Sequence, residues 1–199
     1  MKNKQGKKSQ VLEEVFKACK KRNNFVFNNS QLKEISNKKG FENQFDVPKL
    51  DNTSKLPQLL KDKNYFVVHL GKGQHQFIKG TQYGFHTFES IQKKHKQVYR
   101  PSILNDLNTS ESNVLSVVFN QGIIYDFLNI QQTPKIYLPH RTQYDFEYTI
   151  NKQKIKSHRQ QIEVDMTIES NNNVYTFEAK NKFSQDFNVS QLYLSLIHI

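Results

Sequence analysis

Between residues 161 and 180, apolar and polar side chains alternate with a period of two on both sides of the junction Ser170-Asn171-Asn172-Asn173. The pattern predicts two half-buried strands joined as a β-hairpin, with asparagines that tolerate the positive φ of a tight turn. A two-residue turn at Asn171-Asn172 and a four-residue loop over 170–173 give the same register, in which Asp165 faces Glu178 and Glu163 faces Lys180. Opposed residues point to one side of a sheet. Glu163, Asp165, Glu178 and Lys180 therefore share one face, and Ile162, Val164, Met166, Ile168, Tyr175, Phe177 and Ala179 share the other.

Upstream, Val11, Leu12, Val15, Phe16 and Cys19 recur at helical spacing and predict a helix over 10–21 capped by Ser9. Phe25-Val26-Phe27 reads as a short extended link. A second helix carrying Leu32 and Ile35 is capped by Asn29 or Ser30 and stops near Gly40. A third falls within 52–62, with Leu56, Leu59 and Leu60 inward and Pro57 in its first turn. Residues 65–70 and 74–80 form a hairpin around the tip Gly71-Lys72-Gly73. Residues 83–110 show no period and carry Lys93, Lys94, His95, Lys96 and Arg100, a docking segment along phosphates or a solvated charge run. Ser110 or Ser112 opens a helix through about Phe127, striped by Val114, Leu115, Val118, Phe119, Gly122 and Ile123. An extended piece follows between Pro134 and Pro139. Residues 144–150 alternate as a further strand, and Lys152, Lys154, Lys156 and Arg159 make a basic loop before the acidic hairpin. After Lys180 the chain turns at 184–186 and enters a helix at Asn188 or Ser190.

Composition changes this picture in one respect. The 199 residues are 36% hydrophobic, with a mean hydropathy of -0.76, yet 15 Phe and 9 Tyr supply bulky material for a core. The net charge of +11 is unevenly placed: residues 1–80 hold 17 Lys/Arg against 7 Asp/Glu, and residues 81–199 hold 12 against 11. A basic first part suits a polyanionic partner. Cys19 is the only cysteine, so an internal disulfide and a cysteine zinc site are excluded, and a reducing cytoplasm is the expected compartment. The first nine residues are rich in Lys, Asn and Gln and read as neither signal peptide nor membrane anchor; no run has the length of a bilayer span.

Three carboxylates within one or two pleats repel each other unless a cation lies among them, and oxygen donors of this kind are what Mg²⁺ selects. Lys180, two residues from a ligand, is placed to hold or deprotonate a water. An amphipathic hairpin with acidic residues outside is also what any solvated sheet presents. The spacing of Asp165 and Glu178-Ala179-Lys180 resembles the PD-(D/E)xK nuclease motif, with Val164 where the motif has its proline. The resemblance implies Asp165 and Glu178 as metal ligands with the Ala179 carbonyl, Lys180 on the attacking water, and Glu163 tuning Lys180 or joining a second metal. Glu111 is the candidate for the acid that the first core helix sometimes contributes, although a helix-capping role explains it equally well. His140 and His158 have no partners at metal-ligand spacing.

Three short helices followed by a basic-tipped hairpin resemble a winged helix over 9–82. That resemblance places Asn52, Thr53, Lys55, Gln58 and Lys61 toward bases and Lys72, His75 and Lys79 toward the DNA backbone. The run from Glu178 through Asp186-Phe187-Asn188 to Gln191-Leu192-Tyr193 is similar to type II restriction endonucleases carrying a winged helix ahead of the nuclease core, in which Gln191 projects toward the metal cluster. The expected organisation is α+β: a winged helix-turn-helix at 9–82, a linker at 83–109, and an αβββα nuclease core at 110–199 whose last residues, Leu194 to Ile199, read as an incomplete end. The implied activity is Mg²⁺-dependent, site-specific cleavage of double-stranded DNA by a homodimer, in a restriction system with a separately encoded methyltransferase. A repair or recombination nuclease of the same fold, and a non-enzymatic winged-helix regulator, are the alternatives.

Overall fold

Val11, Leu12, Val15, Phe16 and Cys19 are all buried along one face of α1 (Lys7–Lys21). The helix starts two residues before the expected Ser9 cap, because tertiary bonds extend it: Lys8 Nζ donates to Asp46 Oδ2 at 2.9 Å and to the Lys49 carbonyl at 3.0 Å, and Lys7 Nζ to the Gly40 carbonyl at 2.9 Å. The computed structural model describes residues 6–90, 100–101, 110–137, 139–180 and 184–196. Lys93, Lys94, His95, Lys96 and residues 197–199 lie outside the described residues.

Strand β1 (Val26–Asn28) ends where Asn28 caps α2 (Asn29–Lys39). The Asn28 side chain accepts the Gln31 N–H at 3.0 Å and Gln31 Oε1 accepts the Asn28 N–H at 3.0 Å, a reciprocal capping box one residue before the expected cap. Gly40, at φ 62, closes the helix. The expected third helix is reduced to a 3₁₀ turn at Thr53–Lys55 and a short α3 (Gln58–Lys63) beginning after Pro57. The Thr53 N–H donates to Asp186 Oδ1 at 2.9 Å and its hydroxyl also bonds Asp186, so this segment follows a tertiary partner instead of continuing α3 backwards. Leu56 and Leu60 still point into the core.

Strands β2 (Tyr65–Gly71) and β3 (Gln74–Lys79) form the expected hairpin, and β1 adds to it in the order β1-β3-β2, all antiparallel. β4 (Phe85–Thr87) follows in a stretch expected to be irregular.

The chain divides into two units. Unit 1 takes Met1–Phe88, Gln143–Gln161 and Gln185–Gln191; unit 2 takes Glu89–Thr142, Ile162–Ser184 and Leu192–Ile199. This differs from the expected run of consecutive domains. Residues 144–150, expected as the first strand of the nuclease sheet, lie in β6 (His140–Ile150), and the expected basic loop is β7 (Gln153–Val164), a ribbon closed by Asn151-Lys152 at φ 45 and 61. Ile155, Tyr148 and Ile150 of this ribbon join the core of unit 1 with Phe16, Phe27, Phe66 and Phe77. Lys154 and Lys156 both pair with Glu147. Burying apolar side chains drew the ribbon there; each fully buried Ile or Phe contributes about 1.5–3 kcal/mol.

In unit 2, α4 (Glu111–Asn120) and α5 (Ile123–Leu128) replace the single expected helix, interrupted at Gly122 by φ 76. β5 (Lys135–Tyr137), β8 (Met166–Ser170) and β9 (Asn173–Phe177) form an antiparallel sheet in the order β5-β8-β9. Met166, Ile168 and Ala179 pack with Leu115, Ile124 and Ile130. β10 (Asp186–Asn188) pairs with β4 in unit 1, and α6 (Val189–Leu196) follows. The chain is α+β. Among the described residues no helix is long and apolar enough to cross a membrane.

Candidate active site

The β8–β9 ladder has the register read from the alternation: Met166 opposes Phe177, Ile168 opposes Tyr175, and Ser170 opposes Asn173. Asn171 and Asn172 turn the chain at φ 53 and 59, the left-handed conformations of a two-residue hairpin turn. Ile162, Val164, Met166, Ile168 and Ala179 are buried. With that face committed to the core, a slip of one residue would expose it, and so the register holds.

Asp165 stands at the break between β7 and β8, and Glu178-Ala179-Lys180 directly follows β9. One step beyond the last ladder pair, Asp165 Oδ2 accepts the Ala179 N–H at 2.8 Å. The bond joins the two strand ends at the point where regular pairing stops. Lys180 Nζ bonds Glu178 Oε1, and their side chains are 30% and 18% exposed, so the pair is poorly screened by water. Burial pushes the Glu178 carboxyl above its ordinary value; the Lys180 hydrogen bond and charge oppose this, and the negative charges of Asp165 and Glu111 add to it. For Lys180, burial acts downward, but the hydrogen bond and charge of Glu178, with Glu111 and Asp165 behind it, carry the ammonium above its ordinary value. Lys180 is therefore a cation in this environment, suited to donating hydrogen bonds.

Glu111 thus acts on the pair as a third negative charge from the start of α4, where Ser110 is the residue whose side chain caps the helix, accepting the Asn113 N–H at 3.2 Å. Glu163 departs from expectation. The ladder ends at Met166 and Phe177 and does not extend to a Glu163–Lys180 pair; Glu163 Oε1 instead takes Arg141 Nη2 at 3.0 Å on the neighbouring strand of the ribbon. Arg141 was missed as its partner because residues 152–159 read as a basic loop, whereas they form β7 and bring Glu163 alongside β6. Gln191 belongs to unit 1, unlike Asp165 and Glu178. Among the described residues no three His, Cys, Asp or Glu side chains are arranged to hold a metal ion; the oxygen donors brought together are those of Asp165 and Glu178, beside Ala179.

The residues expected to touch DNA all fall in unit 1, with different fates. Lys61, Lys72 and Lys79 are exposed. Lys55 pairs with Asp51, Gln58 Nε2 donates to Asp62 at 2.7 Å, and Asn52 Oδ1 accepts the Ser54 hydroxyl at 2.6 Å. Asn52, Thr53 and Lys55 are not on a recognition helix, and the Thr53 hydroxyl is taken by Asp186. His75 is a correction: it is 7% exposed, with Nδ1 2.8 Å from His69 Nδ1 and Nε2 3.0 Å from Asn29 Oδ1, and it does not face outward as a wing contact. Period-two alternation did put His75 beside a polar tip, but it could not reveal the polar partner waiting on α2. The His158 ring sits 2.8 Å from Asp145 Oδ2.

An α+β protein with a carboxylate-lysine cluster at a hairpin end and a separate basic unit is the class these observations define. The segments of unit 1 hold 21 Lys/Arg against 10 Asp/Glu, those of unit 2 hold 8 against 8, and the whole net charge thus lies in unit 1. The chain belongs to the family described as Domain of unknown function (DUF6997), whose model matches residues 80–196. Residues 9–77 match a second family, Domain of unknown function (DUF6996). No curated protein and no solved structure matches the chain.

Proposed function

We propose that the chain is a Mg²⁺-dependent endonuclease of the PD-(D/E)xK type that cleaves double-stranded DNA, with unit 1 as its DNA-binding part. The observation that carries the reading is the convergence of Asp165, Glu178 and Lys180 at one hairpin end, joined by the Asp165 to Ala179 bond. The element order of unit 1, helix, strand, two helices and a hairpin with the sheet order β1-β3-β2, resembles that of a winged helix and supports the reading of a nucleic-acid partner. So does the +11 charge of its segments.

The donor chemistry fits a hard divalent cation. Asp165, Glu178 and the Ala179 carbonyl offer oxygen; burial is the main cause that pushes Glu178 up, and the negative charges of Asp165 and Glu111 beside it favour a positive charge there. When bound, Mg²⁺ supplies Lewis-acid stabilisation of charge on the phosphate and on the departing 3′ oxygen. The chain's own residues do the rest. Asp165 ties down the backbone that carries Glu178 and Lys180, and the Lys180 ammonium donates to a water or phosphate oxygen and orients the attack. Site-specific restriction by a homodimer, alongside a separate methyltransferase in the cytoplasm, is the biological role we attach to this activity.

Plasmid digestion with and without Mg²⁺ tests the reading. Discrete fragments support restriction, whereas a smear or nicking supports a repair nuclease. Intact plasmid with a retarded band supports a regulator. Lys180→Ala should abolish cutting while leaving DNA affinity unchanged, and undiminished cleavage by that variant would remove the assigned site.

A further inference from the structure

The tip of the β2–β3 hairpin is held from two sides. Asn29 donates its N–H to the Gly73 carbonyl at 2.9 Å, and a Cβ at Gly73 would stand 2.6 Å from Asn29 Nδ2. On the other side, a Cβ at Gly71 would stand 1.9 Å from the carbonyl oxygen of His158 on β7. Gly71, Lys72 and Gly73 all hold left-handed φ, at 80, 46 and 69.

A cleft of about 440 Å³ lies between this tip and β7, within unit 1. Its charged lining residues are Lys72 and Arg159, and no carboxylate lines it among the described residues. Gln143 lines it too, and its Oε1 accepts Arg159 Nε at 3.2 Å, which orients the guanidinium. Beside the cleft, Asp145 is already engaged: it takes the Arg159 N–H at 2.6 Å and the His158 ring at 2.8 Å. These bonds, the backbone one first, hold its carboxyl below the usual range, and the charge of Lys72 adds to the effect. The floor is the His69–His75 pair. With Asn29 Oδ1 accepting from His75 Nε2–H, His75 Nδ1 carries a lone pair and accepts from His69 Nδ1–H, so the His75 ring is neutral, while burial holds His69 below the ordinary histidine range.

We infer that this cleft is a phosphate-binding site in which Lys72 and the Arg159 guanidinium grip one backbone phosphate of a nucleic-acid strand. A tetrahedral oxyanion matches a planar guanidinium fork joined by an ammonium, and a rigid tip with neutral amide neighbours spares the bound anion any repulsion. The inference rests on the nucleic-acid half of the proposed function and is indifferent to the chemistry at Lys180. It moves recognition away from α3 to a junction of two segments far apart in sequence, adding Arg159 and Gln143 to the residues expected to matter.

The test is fluorescence anisotropy of the full chain on a labelled DNA duplex in EDTA, across a salt series, with Arg159→Gln, Lys72→Gln, Arg159→Lys and Lys180→Ala. Each cleft glutamine variant should weaken binding about tenfold and lower the slope of log affinity against log salt by about one, with Arg159→Lys recovering the slope. Unchanged melting temperatures establish that the variants are folded. Competition by millimolar adenosine monophosphate or inorganic phosphate, lost in Arg159→Gln, would support the phosphate site with a free phosphate as its source; no competition supports the strand. Wild-type affinity and slope in both glutamine variants, with no binding of either small phosphate, would overturn the inference. Loss of cleavage without loss of binding in Lys180→Ala leaves it standing, so the two readings fail separately.

Discussion

Acidification should weaken unit 1 through His69 and His75 before its carboxylates begin to titrate. Burial, the largest cause, lowers His69 to about 4, with the charge of Lys49 helping and that of Asp51 opposing; burial also lowers His75 to about 3, with His69 adding to the effect. Both folded values lie below the ordinary histidine value, so the contribution is fully present above about 6.5 and is lost as pH falls toward 4 and 3. At pH 5 the unfolded rings are almost fully protonated while the folded rings are neutral. Each histidine then costs about 2 kcal/mol relative to pH 7, at about 1.4 kcal/mol per pH unit below 6.5. That cost barely depends on how far below 5 the folded values lie. The pair together reaches about 4 kcal/mol, a large part of the 5–15 kcal/mol typical of a domain. Denaturant unfolding followed by circular dichroism at pH 7, 6 and 5 measures it, against a His69→Gln, His75→Gln double variant whose pH dependence should be flatter by that amount. Nitrogen-edited spectra of the rings at pH 5 should show two neutral tautomers, Nδ1–H on His69 and Nε2–H on His75. Two rings titrating near 6.5, or a double variant as acid-sensitive as the parent, would refute the reasoning.

Gly71→Ala places a Cβ 1.9 Å from the His158 carbonyl at φ 80, so the β2–β3 hairpin tip must part from β7. We expect a loss of more than about 2 kcal/mol in unit 1 by denaturant unfolding, since both backbone strain and a backbone clash act there. Ile168→Ala removes a side chain of zero exposure from the middle strand of the unit 2 sheet, and should cost about 2–5 kcal/mol in the same assay and reduce the proposed cleavage through loss of the Asp165–Ala179 junction. Asn28→Ala deletes half of the α2 capping box and should lower stability by about 1 kcal/mol, read as a lower melting temperature without a change in fold.

Local rules carried far along this chain. The β8–β9 register, its Asn171-Asn172 turn, the buried face of α1 and the Gly40 stop of α2 were all legible, because each depends on neighbours within a few residues or on an alternation whose apolar side has one destination. Asp165 and Glu178 came together for the same reason. What the sequence could not determine were choices among partners distant in the chain. Asp186 takes Thr53 from 133 residues away, Asn29 draws His75 inward, and Arg141 intercepts Glu163. Residues 143–161, read as a strand and a loop of the second domain, found their apolar contacts in unit 1 and brought Arg159 to the β2–β3 hairpin tip. Periodicity states which face of a strand is apolar, and by itself it determined that much here; only the tertiary structure decided which core that face joined, because burial free energy depends on the area removed from water and not on which segment removes it.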